Sequence, residues 1–254
     1  MRGKKVPQGL IVYDGPSMLT GDPILGIITT KTRNPKTGRR MMQLWIVPKG
    51  VHPVKAIKTG QDRAVCGNCP LRGWTRDGRR QRRRCYVNPL GPGAVYSAYR
   101  RRRYRKATPI LVWRVLSRAG VALRLGAWGD PAALPRDLVA TLTAFVTRWT
   151  GYTHQWREID PAWSRYVMAS ADSAEDRAAA RALGYRCFRV RRAADPVLAG
   201  EVTCPAAAEA GKRTTCDRCG LCAGNAGRWQ GLKDVVLQAH GAARRFFELT
   251  PVLA

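Results

Sequence analysis

Four cysteines occupy one short stretch of this chain: Cys204, Cys216, Cys219 and Cys222. The last three are spaced C-x2-C-x2-C, so consecutive thiolates can converge on one small inorganic centre, as they do around iron–sulfur clusters. A zinc site more often takes cysteine pairs with the second pair set well apart, which makes zinc the alternative. Cys66, Cys69 and Cys85 form a second group. Three thiolates can hold a four-iron, four-sulfur (4Fe–4S) cubane and leave one iron open to a ligand. A fourth ligand such as His52 would close a zinc site instead, and a third arrangement pairs Cys66 and Cys69 with Cys216 and Cys219 in one zinc ribbon. The expectation is one or two iron–sulfur clusters on these seven cysteines. Cys187 stands alone in an apolar run and reads as core.

The second chemical signal is charge. The chain has 45 Lys and Arg against 17 Asp and Glu, a formal net charge of +28 and a pI near 11.0. Such a field attracts polyanions, nucleic acid first among them. Arg and Ala richness also fits a high-GC genome, which is the alternative source of the charge. Two runs concentrate it. The loop Arg72–Arg84 holds seven arginines, among them Arg79, Arg80, Arg82, Arg83 and Arg84, against one acid, Asp77. The second run is Arg100, Arg101, Arg102 and Arg103, continuing to Lys106. Trp74, Tyr86, Tyr99 and Tyr104 interleave these runs, and basic residues with aromatics suit a single strand's phosphates and bases without sequence readout. No base-reading module is recognisable.

No apolar run approaches a membrane span. The basic N-terminus lacks an apolar stretch after it, so no signal peptide is expected. The expected compartment is the cytoplasm, where reduced thiols serve as ligands rather than disulfides.

The elements that must position these groups fall in two regions. Residues 1–60 read as β-rich: Leu10–Tyr13, Ile24–Thr30 and Met41–Val47, the last two forming a hairpin around the turn signal Asn34–Gly38. Residues 61–254 alternate helix and strand. Helices are expected over Ala94–Arg105, from the Thr108 cap and Pro109 to Gly120, over Asp137–Trp149, from the Ser173 cap to Leu183, and over Ala242–Leu249. Strands are expected over Val121–Trp128, Tyr152–His154, Arg165–Ser170, Arg186–Val190 and Asp234–Gln238. This alternation implies an α/β fold with a parallel sheet, closing as a partial (β/α) barrel with a cysteine-rich C-terminal metal loop. In such barrels the active site lies at the C-terminal strand ends. Asp130, His154, Asp172, Arg191 and His240 each follow a different expected strand, and Asp130, His154, Asp172 and His240 are the candidate catalytic residues. Helix capping is the competing role for Asp130.

These motifs resemble the bacteriophage gene product eighty-eight family and related phage proteins of unknown function. The resemblance is carried by Cys66-x2-Cys69-Pro70 with Cys85-Tyr86, by Leu123-Arg124-x4-Gly129-Asp130, by Tyr152-Thr153-His154, and by Cys204-Pro205 with Cys216-x2-Cys219-x2-Cys222 before Ala239-His240-Gly241. It spans roughly Cys66 to Gly241 and is loose outside the motifs. It implies kinship with radical S-adenosylmethionine (SAM) barrels: a cluster-bearing, radical-SAM-like (β/α) fold in the host cytoplasm, with SAM as a ligand of the open iron. The chain departs from the usual radical-SAM signature C-x3-C-x2-C, because its first group has one close pair and a distant third cysteine. The first functional expectation is an iron–sulfur protein acting on or near nucleic acid. The alternatives are a non-enzymatic zinc-binding nucleic-acid protein and a phage factor that binds a host protein.

Overall fold

In the computed structural model, residues 6–32, 34–76, 79–85, 87–226 and 233–239 are described, with the backbone alone over 74–76 and 79–81. The N-terminal region begins with three strands, β1 (Gly9–Pro16), β2 (Pro23–Thr29) and β3 (Met41–Pro48). Strands β2 and β3 form the expected antiparallel hairpin, paired from Ile24↔Pro48 to Thr29↔Gln43. Ile24, Leu25, Ile27, Ile28, Leu44 and Ile46 are all fully buried, so both faces of this hairpin are covered. β1 pairs antiparallel with β2.

Helices α1 (Pro53–Thr59) and α2 (Arg63–Cys66) follow, then a small hairpin of β4 (Trp74–Arg76) and β5 (Arg79–Gln81) inside the arginine-rich loop. Helix α3 spans Leu90–Arg100 rather than Ala94–Arg105. It ends early because Arg102 takes a left-handed φ of 55°, which breaks the helix and lets β6 (Arg105–Lys106) pair with β1. Helix α4 (Pro109–Leu116) starts as expected, with Thr108 Oγ1 accepting from Leu111 N and Pro109 in the first turn.

The alternating region supplies β7 (Ala122–Trp128), α5 (Arg136–Ala144), β8 (Arg148–Thr150), β9 (Tyr152–Thr153), β10 (Met168–Ala171), α6 (Ala174–Ala182), β11 (Cys187–Arg191), β12 (Glu201–Thr203), α7 (Cys216–Cys219) and β13 (Asp234–Gln238). The helix expected over Asp137–Trp149 is shorter. It stops at Ala144, and the β-branched and aromatic run Val146–Thr150 leads into β8, where Trp149 pairs with Leu123 and its ring N–H donates to Tyr166 O at 2.8 Å. Ser173 caps α6 by accepting from Asp176 N, and Gly184 follows the helix at a φ of +83°. Strand β12 carries too few apolar residues to be seen in the sequence. A buried pair holds it, with Arg189 donating from Nε and Nη2 to the two Glu201 oxygens at 2.6 Å each.

The result is a mixed α/β architecture with two mostly parallel sheets. One runs β6-β1-β2-β3-β7-β8 and the other β12-β13-β11-β10-β9. Every pair in the second sheet is parallel, as are β3-β7 and β7-β8 in the first. Gly151 alone separates β8 from β9, so one extended segment serves both sheets. The N-terminal strands thus share a sheet with the alternating region. One large apolar core reaches from Leu10 to Ala223, and a smaller one gathers Met168, Cys204, Cys222, Val235 and Leu237 around the C-terminal cysteines. The expected helix over Ala242–Leu249 lies outside the described residues. Among the described residues, no helix is long and apolar enough to cross a membrane.

Candidate metal and ligand site

The first cysteine group sits on a one-turn helix and the loop after it. Cys69 N donates to Cys66 O at 3.1 Å. Gly67 takes a φ of +52°, and a Cβ there would meet Gln155 Oε1 at 2.3 Å, so only glycine fits. Gln155 grips this loop from both sides, accepting from Asn68 N at 3.1 Å and donating to Cys66 O at 3.1 Å. Arg72 closes the other flank with a 2.7 Å ion pair to buried Asp62 and a hydrogen bond to Gly67 O. Arg83 donates to Cys85 O and Val87 O, bracing the third cysteine.

His154 lies against this group. Its Nδ1 is 3.3 Å from Cys69 Sγ, and its Nε2 is 3.3 Å from Asp172 Oδ2, without hydrogen-bond geometry on the second side. Burial by itself would lower the imidazole's pKa, but Cys69 and Asp172 beside it together push it well above its ordinary value. Asp130 holds the segment carrying His154. Its Oδ2 accepts from Thr153 Oγ1 at 3.0 Å and His154 N at 2.9 Å, while its Oδ1 accepts from Ala132 N at 3.0 Å. The capping role is therefore real, and it comes together with a positioning role. Burial raises the Asp130 carboxyl above the usual range, partly offset by those three hydrogen bonds.

The second cysteine group is built by β12, α7 and the loop after it. Cys204 N donates to Val236 O, and Cys222 O accepts from Gly151 N at 3.1 Å, tying the group to the strand that joins the sheets. The β2–β3 loop clamps α7. Cys216 N donates to Lys36 O, Asp217 N to Thr37 O, and Arg40 N to Asp217 Oδ2 at 3.1 Å. The four thiols influence one another. Burial first, and then Cys204 and Cys219, push Cys216 up to about 11, and Arg124 and Lys36 work against that rise. Burial also drives Cys222 upward, against a hydrogen bond from the Tyr152 hydroxyl. Burial, then Cys69, Asp62 and Cys85, act the same way on Cys66. Thiols placed so close resist ionisation together unless a cation takes up their charge.

Both groups line one cavity of about 730 Å³. Cys66, Cys69 and Cys85 reach it with Asp130, His154 and Asp172, while Cys204, Cys216 and Cys222 reach it with Arg124 and Tyr152. Trp45, Trp128 and Phe188 supply apolar wall. The donor chemistry fits thiolate-bound metal: three soft ligands plus a buried imidazole at one place, four soft ligands at the other. Among the described residues, no three His, Cys, Asp or Glu side chains converge as placed around a single ion.

Of the expected residues, Asp130, His154 and Asp172 are brought together, and His240 lies outside the described residues. His52 does not join the cysteines. Its Nδ1 accepts from Val54 N as the cap of α1, and its ring packs edge-on against Tyr96. Arg191 bridges loop carbonyls and Glu209. Cys187 is fully buried in β11, as core. Arg82 and Arg100, Arg101, Arg102 and Arg103 are exposed, Arg83 and Arg84 are half-buried, and the side chains of Arg79 and Arg80 lie outside the described residues. Sequence reasoning missed Gln155, Arg72 and the Lys36–Thr37 clamp, whose roles arise only from contacts across the fold. Gly67 between two cysteines was the one local signal. Comparison of the chain with protein-family models, curated proteins and solved structures gives no match.

Proposed function

We propose that this chain is an iron–sulfur protein built as a partial (β/α) barrel, radical-SAM-like and akin to the phage family its motifs resemble. The observation that carries the reading is that two separate cysteine groups open on one cavity. Cys204, Cys216, Cys219 and Cys222 would hold one 4Fe–4S cluster. Cys66, Cys69 and Cys85 would hold a second with one iron free for SAM. Held there, such a cluster would, once reduced by an external one-electron donor, supply that electron to its ligand. The chain's own part is to exclude water with Trp45, Trp128 and Phe188, to fix the cysteine loop through Gln155, and to keep a proton at His154 between Cys69 and Asp172. Protein purified without air should be brown and contain iron and sulfide. Its reduced paramagnetic resonance spectrum should lose one component in a Cys66/Cys69/Cys85 triple Ala variant. Colourless protein with stoichiometric zinc refutes the reading, as does an identical spectrum from that variant.

The line Cys69–His154–Asp172 favours a second reading. Thiol, imidazole and carboxylate in that order are the parts of an activated cysteine nucleophile, with zinc on the C-terminal group. Metal-free protein in which Cys69 is alkylated no faster than Cys85 excludes it.

The partner in either case is proposed to be nucleic acid. Between Asp77 and Asp130 the chain has fourteen Lys and Arg and no Asp or Glu. On α4, Ile110 is 59% and Trp113 50% exposed, as is neighbouring Arg114, and the run Arg100–Arg103 that precedes α4 in the sequence is exposed too. Cations with an outward indole suit phosphates and stacked bases.

A further inference from the structure

The cavity is polarised. Its two carboxylates, Asp130 and Asp172, lie with His154 and the first cysteine group, and both are engaged: Asp130 with three donors, Asp172 at 3.3 Å from His154. The lining also carries three cations, Lys31, Lys36 and Arg124. None of the three is paired with a carboxylate among the described residues. Lys31 and Lys36 come from the loop clamped onto α7, and Arg124 projects from the middle of β7. A guanidinium turned into a partly enclosed space is costly unless an anion meets it. Lys36 and Arg124 stand near Cys216 and offset charge there. Lys31 lies on the same loop as Lys36 and lines the cavity with it. The lining also has an aromatic and aliphatic part: Trp45, Val190, Leu237, and Tyr152 against Phe188 with ring centroids 4.5 Å apart and the rings tilted by 48°. A volume of about 730 Å³ lies within the range of small-ligand sites.

We infer that the cavity binds a phosphorylated nucleoside, with its phosphate on Lys31, Lys36 and Arg124 and its planar base against the aromatic wall. Phosphate matches a cluster of cations in charge and in number of acceptors, and Arg124 adds a planar donor fork. The aromatic lining offers a planar ring offset or edge-on contacts. The inference rests on the cavity being the ligand chamber of the proposed function. It does not depend on which metal fills the cysteines.

The test is calorimetric titration of the anaerobically purified protein with thymidine monophosphate, whose base is unrelated to that of SAM, at ~150 mM salt to screen the surface arginines. Thymidine and inorganic phosphate are the comparison ligands. Expected are one saturable site for the nucleotide, weaker binding of both fragments, and about tenfold weaker nucleotide binding in Lys31→Ala and in Arg124→Met, the scale of one lost charge-assisted hydrogen bond. Arg101→Ala/Arg103→Ala should leave it unchanged. Lys31 is exposed, so its variant folds even if Arg124→Met does not. Absence of saturable binding overturns the inference, as does binding that survives Lys31→Ala or that the surface variant abolishes. Iron and sulfide are measured on the same sample. Iron-loaded protein without nucleotide binding sinks this inference alone, and nucleotide binding by iron-free protein sinks the cluster reading alone.

Discussion

Replacing Asp130 probes fold and site at once. The carboxylate accepts from Ala132 N, Thr153 Oγ1 and His154 N, all within 3.0 Å, and it is buried. An asparagine can place its oxygen where Oδ2 serves Thr153 and His154, but its amide then faces the Ala132 N–H, donor against donor. One hydrogen bond is lost and one buried donor is stranded, a cost of about 1–3 kcal/mol. Alanine strands two backbone N–H groups and leaves a void, about 3–5 kcal/mol. The Thr153 hydroxyl also loses its acceptor, although its oxygen still accepts from Gln155 N at 2.9 Å. The charge works in the other direction. The folded carboxyl is raised above its ordinary value of 3.8, so the folded state holds its proton longer, and wild-type stability falls as pH rises from there toward the raised pKa. Asparagine escapes that fall, so its deficit should narrow between pH ~3 and ~7. Urea denaturation of wild type, Asp130→Asn and Asp130→Ala at both pH values reads these numbers. Metal content should fall with stability, since the 153–155 segment grips the Cys66–Cys69 loop. If Asp130→Ala is as stable as Asp130→Asn, or if the deficit of Asp130→Asn widens toward neutral pH, the carboxylate does not bear the load assigned here.

Gly67→Ala should cost about 2–4 kcal/mol, from the positive φ and the clash with Gln155, and release metal from the first group only; unchanged melting refutes the clamp. Burial pushes the Cys187 thiol from its ordinary 9.0 up to about 12, so the folded state favours the neutral thiol, and the stability this gives below the ordinary pKa is lost as pH rises toward the raised one. In native protein at pH ~8, iodoacetamide should therefore spare Cys187 while it reacts in urea; modification at equal rates in both would refute its burial. Binding to a single-stranded oligonucleotide should weaken steeply with salt, and Arg101→Ala/Arg102→Ala/Arg103→Ala should flatten the slope by about 2 in log–log terms; a slope unchanged in the variant removes this run from the interface.

What was legible in the sequence followed physical locality. The β2–β3 hairpin, the Thr108 and Ser173 caps, Gly184 and most strands of the alternating region were readable because each rests on residues a few positions apart. The two ends that failed had different causes. The Asp137–Trp149 pattern is apolar at helical spacing, yet Trp149 is claimed by pairing with Leu123, a tertiary choice that outweighs local periodicity. Arg100–Arg103 carry no stop signal, and Arg102 simply adopts the left-handed region. At the site, the grouping of Asp130, His154 and Asp172 followed from strand ends. The neighbours that make the grouping useful did not. Gln155 meets Cys66 O across 89 residues, and nothing in either stretch announces the other.

The clamp of the β2–β3 loop on α7 also has a consequence for biosynthesis. Arg40 and Asp217 lie 177 positions apart, so the pocket around Cys216 stays open until nearly all of the described chain has left the ribosome. Contacts of such long separation form late and slowly, because a large loop must be closed before they return any free energy. Until then the C-terminal thiols are exposed to solvent, oxidant and scavenging metals. On the cluster reading proposed above, metal would reach that group in the window before the loop docks. The Lys36–Thr37 segment acts as the latch that ends it, and shortening that segment should lengthen the window in which the thiols accept the wrong metal.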